Sequence, residues 1–165
     1  MEEAKKILLS YKTQYKELEK LRAKIRDIEE SLTPTIKNDM PPARSYNGSI
    51  TEKAAVNLAD LKTIYINKGI RAELLRQKIC DLLNEMKSPT NNELLYARYM
   101  LLLPWKKVIE RLNILRPGKE YELKSAMGYK HKSALNEFQT ILNTTPDKRK
   151  EEIYELARIN NTRSN

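Results

Sequence analysis

The run Glu93-Leu94-Leu95-Tyr96-Ala97-Arg98-Tyr99-Met100, then Pro104-Trp105-Lys106-Lys107-Val108-Ile109 and later Gly128-Tyr129-Lys130-His131-Lys132-Ser133-Ala134-Leu135, decides the fold. Its apolar residues recur at helical spacing, while Pro104 and Gly128 punctuate the pattern, so it reads as short helices joined by tight turns. Such helices, with lysines where the last one begins, are what a helix-turn-helix DNA reader requires. Thr90 or Asn91 can cap the first of them. Pro104 suits the first turn of the next, in which Trp105, Val108, Ile109 and Leu112 share one face, and Trp105 is expected in the core.

Arg116-Pro117-Gly118 reads as a turn, and Leu123, Ala126 and Met127 as a short helix after it. Gly128 tolerates a positive backbone dihedral, which places the turn of the motif there. From Lys130 to about Asn143, Ala134, Leu135, Phe138, Ile141 and Leu142 gather on one face, with His131 on the buried side, while Lys132, Ser133, Asn136, Thr140 and Asn143 point away. Lysine supplies charge, serine and asparagine supply directional hydrogen bonds, and asparagine can pair bidentately with adenine in the major groove. Lys132, Ser133 and Asn136 are therefore the expected base contacts, and Lys106, Lys107, Arg111, Lys119, Lys124 and Lys130 the expected phosphate contacts. The same outward face also fits an ordinary solvated helix. Thr145-Pro146-Asp147 begins a last short helix holding Ile153, Leu156 and Ala157, ahead of a polar end.

Working toward the N-terminus, Ala4, Ile7, Tyr11, Gln14, Leu18, Leu21, Ile25, Ile28 and Leu32 alternate steps of three and four, the signature of a long helix with a heptad seam. Gln14, polar on that seam, can fix register. Pro34, Pro41, Pro42, Asn47 and Gly48 break the pattern, so 33–49 is expected to be a loop. Ser49 or Thr51 can cap a second seam through Ala54, Leu58, Leu61, Tyr65, Ala72, Leu75, Ile79, Leu82 and Met86, interrupted at Lys68, with Gly69 beside it as a possible bend. Two such helices fold most simply as an antiparallel hairpin. Leu18, Leu21, Ile25, Ile28, Leu75, Ile79 and Leu82 fit core packing and self-association equally well.

The fold expected is thus all-α: a helical coiled-coil arm over 1–87, a helix-turn-helix domain over 88–145, and a short helix with a fraying tail over 146–165. A chain of 165 residues holds one domain, or one domain and an arm. Its net charge of +9 favours a polyanionic partner, nucleic acid ahead of anionic lipid. One cysteine, Cys80, and one histidine, His131, cannot assemble a structural zinc site within one chain. Cys80, on a helical stripe, reads as a filler thiol. No phosphate loop, paired Cys and His, or metal-binding carboxylate cluster suggests an enzyme or a cofactor. The N-terminus lacks a secretory signal and no apolar run would span a bilayer, so a cytoplasmic protein is expected.

The run from Pro89-Thr90 through Leu95, Arg98, Tyr99, Met100 and Trp105, then Val108-Ile109 and Gly128-Tyr129, resembles phage late-gene transcriptional activators of the ArpU and RinA type. Thr33-Pro34-Thr35 and Asp39-Met40-Pro41 resemble the junction after the first coiled helix of that group, so the likeness runs from Tyr11 to Leu142. It implies a helical arm followed by a domain similar to region four of bacterial sigma factors, acting as a transcription activator of packaging, structural and lysis genes in the cytoplasm of a bacterial host. Double-stranded DNA, RNA polymerase and further copies of the chain are the partners implied. The chain departs from the group by inserting Leu115 to Ser125 between the tryptophan helix and Gly-Tyr. Either Trp105 to Asn113 or Tyr121 to Met127 can then position the reader, and the second is favoured here. A small terminase-type packaging subunit and a coiled structural adaptor are the competing functions.

Overall fold

The computed structural model describes residues 2–32, 48–115, 118 and 121–158. The fold is all-α, with no strand among the described residues. The helices are α1 (Glu2–Leu32), α2 (Gly48–Asn84), α3 (Pro89–Leu95), α4 (Trp105–Leu115), α5 (Leu123–Ser125), α6 (His131–Thr144) and α7 (Asp147–Ala157). A π-helical turn, Tyr96–Met100, extends α3, and a second, Ala126–Lys130, joins α5 to α6. The loop expected over 33–49 lies mostly outside the described residues. Its last two positions, Gly48 and Ser49, already belong to α2, so the caps expected at Ser49 and Thr51 fall inside the helix. Gly69 does not interrupt α2.

The chain divides into two compact units, Tyr15–Ile70 and Met1–Gln14 with Arg71–Asn165. The boundary expected at 87 therefore moves, because the two ends of the arm are built into the C-terminal core. The first unit is an antiparallel pair of helical segments with Ile25 and Leu61 buried and Leu18, Leu21, Ile28, Leu58 and Tyr65 half-buried. Lys62 meets Glu29 at 2.6 Å and Lys68 meets Glu17 at 2.8 Å, and both pairs are exposed enough to contribute only a few tenths of a kcal/mol.

In the second unit, Ala4, Ile7, Leu8 and Tyr11 of α1 and Leu75, Ile79, Leu82 and Leu83 of α2 join Leu94, Leu95, Val108, Leu112, Ala134, Phe138, Leu142 and Ile153 in one core. Leu75, Ile79 and Leu82 have no exposed surface, so they cannot serve self-association as expected; they are spent on intrachain packing. Gln14 likewise sets no coiled-coil register. Its Nε2 donates to the Leu156 carbonyl at 2.8 Å, and Arg71 donates to the Leu156 and Arg158 carbonyls at 3.2 and 2.7 Å and also to that of Glu155. These donors satisfy the orphan carbonyls at the C-terminal end of α7, where a cation also meets the favourable end of the helix dipole.

Ser88, rather than Thr90 or Asn91, caps α3: its Oγ accepts from the Asn91 amide at 3.4 Å, with Pro89 in the first turn. Glu137 of α6 ties that end down, its carboxylate accepting from the Ser88 amide at 3.0 Å and from Asn91 Nδ2 at 2.7 Å. Gln139, two residues on, accepts from the Ala4 amide at 3.1 Å. The two flanks of α6 beside Phe138 are thus committed to holding α3 and the start of α1.

Candidate nucleic-acid interface

Residues 123–144 form one uninterrupted helical rod. Gly128 does not make the expected turn: Ser125, Lys130 and His131 all have right-handed helical dihedrals, and among the described residues the one glycine with positive φ is Gly118, at 97°. The wide π-helical turn at Ala126–Lys130 absorbs one extra residue instead of reversing the chain. Tyr121 to Met127 therefore cannot be a separate positioning helix. The helix that precedes the rod is α4, and the segment holding Gly118 separates the two. The Asn113 side chain accepts from the Tyr121 amide at 2.9 Å, fixing where the chain re-enters helix.

This moves the start of the candidate reader from Lys130 to Leu123. Ala126, Ala134, Leu135, Phe138 and Leu142 are buried along the rod. Lys132 and Asn136 are exposed, as expected of base contacts, while Ser133 is half-buried and poorly placed for that role. Upstream, Lys124, Ser125, Met127 and Gly128 are exposed, and Tyr129 is 74% exposed. Tyr129 was not among the expected contacts. It precedes Lys132 and Asn136 at steps of three and four, so the three share one face. An aromatic ring on the polar face, three residues before Lys132 and off the buried stripe, is the signal that could have drawn attention to it.

The six expected phosphate contacts divide by what already engages them. Lys106 and Lys124 are exposed. Lys107 pairs with Glu110 at 3.0 Å, and Arg111 pairs with the half-buried Glu93, which ties α4 to α3. Lys130 is half-buried, with its ammonium 6.0 Å from the Tyr121 ring centre. Lys119 lies outside the described residues.

Behind the rod, His131 closes an aromatic box. Its Nε2 is 3.0 Å from the Tyr99 hydroxyl, its ring stacks on Tyr99 and meets the Trp105 edge at 5.2 Å, and the Arg98 guanidinium lies 5.0 Å above the Trp105 ring. Arg98 is held by donating to the Leu103 carbonyl at 2.8 Å. Trp105 is half-buried, a lid on the core and not its centre. Burial first, then the nearby Lys5 and Arg98 cations, lower the His131 pKa from its ordinary value. The ring is therefore neutral at pH 7, and its Nε2 can accept a hydrogen bond from the Tyr99 hydroxyl. Burial raises the Tyr99 pKa, which keeps that phenol protonated.

The unfolded chain protonates His131 near pH 6.5, and the folded chain only at lower pH, so between these values the unfolded state binds more protons and stability falls as pH falls. The denaturant midpoint is expected to drop between pH 7.5 and 5.5, and His131→Gln to flatten that slope. Glu73 and Glu152, whose pKa values are lowered by bonds to Arg76 and Lys78, lose their contribution further down, below the ordinary carboxylate range. An equal slope in the wild type and the His131 variant would mean that the imidazole is solvated.

Among the described residues there is no cluster of histidine, cysteine and carboxylate side chains able to hold a metal, and no helix long and apolar enough to cross a membrane. Cys80 is half-buried, and burial raises its pKa, which makes it a poor nucleophile. Comparison with protein-family models, with curated proteins and with solved structures finds no match.

Proposed function

We propose that the chain is a DNA-binding transcription regulator that reads the major groove with the rod 123–144. The observation that carries this reading is the exposed face of Tyr129, Lys132 and Asn136, backed by a fully buried stripe and preceded by the exposed Lys124. Lysine attracts phosphate, asparagine can recognise adenine, and a solvent-facing tyrosine can pack on a sugar or a thymine methyl. Between 88 and 145 the sequence carries nine Lys and Arg against five Asp and Glu, so this region contributes to the positive balance. The likeness of its motifs to ArpU and RinA type proteins points the reading toward activation of phage late genes.

The test is fluorescence anisotropy with random duplex DNA at rising salt. Binding is expected to weaken steeply, and Lys124→Ala and Lys132→Ala each to flatten the slope of log affinity against log salt by about one unit. Arg111→Ala is the control: this side chain is engaged by Glu93 and should leave the slope unchanged. Affinity that is absent, or indifferent to salt, would refute the reading. On duplex taken from upstream of packaging genes, Asn136→Ala should lower specific affinity alone.

A further inference from the structure

The segment of α2 within the unit Tyr15–Ile70 carries two apolar faces, and the helix pair covers one of them. Ala54, Leu58, Leu61 and Tyr65 are buried or half-buried. Val56, Ala59, Thr63, Ile66 and Ile70 form a second stripe at steps of three and four and are all exposed, with Val56, Ile66 and Ile70 at 60, 57 and 57%. Asp60, Lys62 and Lys68 are the charged residues between 55 and 70. The partner segment of α1 is the opposite case: between Lys16 and Leu32 it exposes no large apolar side chain and is dense in Lys, Arg, Asp and Glu.

We infer that this stripe is a homodimer seam on which α2 of a second copy lies antiparallel. The choice of occupant follows from the order of side-chain sizes. The small residues, Ala59 and Thr63, come first and the large ones, Ile66 and Ile70, come after. Antiparallel helices set Ala59 against Ile70 of the second copy and Thr63 against Ile66, filling each small position with a large side chain, twice over by symmetry. Parallel helices would set Ala59 on Ala59 and leave a void. Lys62 and Lys68 remain neutralised by Glu29 and Glu17 of their own chain, so the seam buries no unpaired lysine. A seam this poor in charge matches a second copy of itself better than it matches an acidic or basic partner.

Sedimentation of the full chain at micromolar concentration is expected to give a dimer, and Ile66→Asp with Ile70→Asp a monomer of unchanged helix content, since both side chains are solvent-exposed within the chain. Orientation is read by oxidation in a Cys80→Ser background. A mixture of Ala59→Cys and Ile70→Cys proteins should yield a mixed disulfide. Ala59→Cys alone should not, because its two copies would lie about 16 Å apart along the helices, beyond disulfide reach. A monomeric wild type, or a dimer that survives both aspartates, would overturn the seam. A ready Ala59→Cys homodisulfide would overturn the antiparallel arrangement.

Discussion

Phe138→Ala is expected to cost about 3 to 5 kcal/mol of stability and to remove specific and nonspecific DNA binding together. Phe138 has no exposed surface and is the bulkiest of the fully buried side chains. Truncating it opens a cavity that α6 cannot close, because Glu137 and Gln139 on either side fasten that helix to α3 and α1. Domains of this size are stable by about 5 to 15 kcal/mol, so the variant is left marginal. Asn136→Ala, one step away but exposed, should change stability by less than about 0.5 kcal/mol. Urea denaturation of both variants makes the comparison. A loss under about 1 kcal/mol at Phe138 would mean that α6 can settle into the space and is loosely held.

The helical periodicities were legible because each helix has one face that must be buried. Ala4 to Leu32, Trp105 to Leu112 and Ala134 to Leu142 announce their helices without tertiary information. What a seam packs against was not legible. Leu75, Ile79 and Leu82 look the same in sequence whether they meet another copy or the residues Ala4, Ile7 and Leu8 of their own chain. Apolar spacing records that a face is covered, and never by what.

The candidate site was half legible for a related reason. Gly128 carries the local chemistry of a turn, yet Ala126 and Ala134 anchor the rod on both sides, and the packing keeps glycine in helical dihedrals at a cost of about 1 kcal/mol relative to alanine. The π-helical turn leaves no mark in a sequence, because one surplus residue in a helical pattern resembles noise. Tyr129, inside that turn, escapes the α-helical pattern, whereas Ser133 shares its side of α6 with the half-buried Glu137, at the border of the buried stripe. Lys132 and Asn136 lie downstream of the turn and kept their expected exposure.

Ile79→Asp should unfold the unit that holds it, with a loss of about 4 kcal/mol or more that does not depend on protein concentration. Ile79 is fully buried in the intrachain core, where a carboxylate would lose its hydration; the nearby Arg76 is already engaged by Glu73 at 2.7 Å. Ile66→Asp with Ile70→Asp, on the exposed stripe of the same helix, should leave thermal unfolding of dilute protein unchanged while abolishing the rise of melting temperature with concentration that a dimer imposes. Circular dichroism melts at two protein concentrations distinguish the two. The contrast follows from which face of α2 each residue occupies: one is covered by the chain itself, the other only by a second copy. Were Ile79→Asp to give a folded monomer, the seam through Leu75, Ile79 and Leu82 would have to face another chain, and the exposed stripe would lose its claim to be the dimer contact.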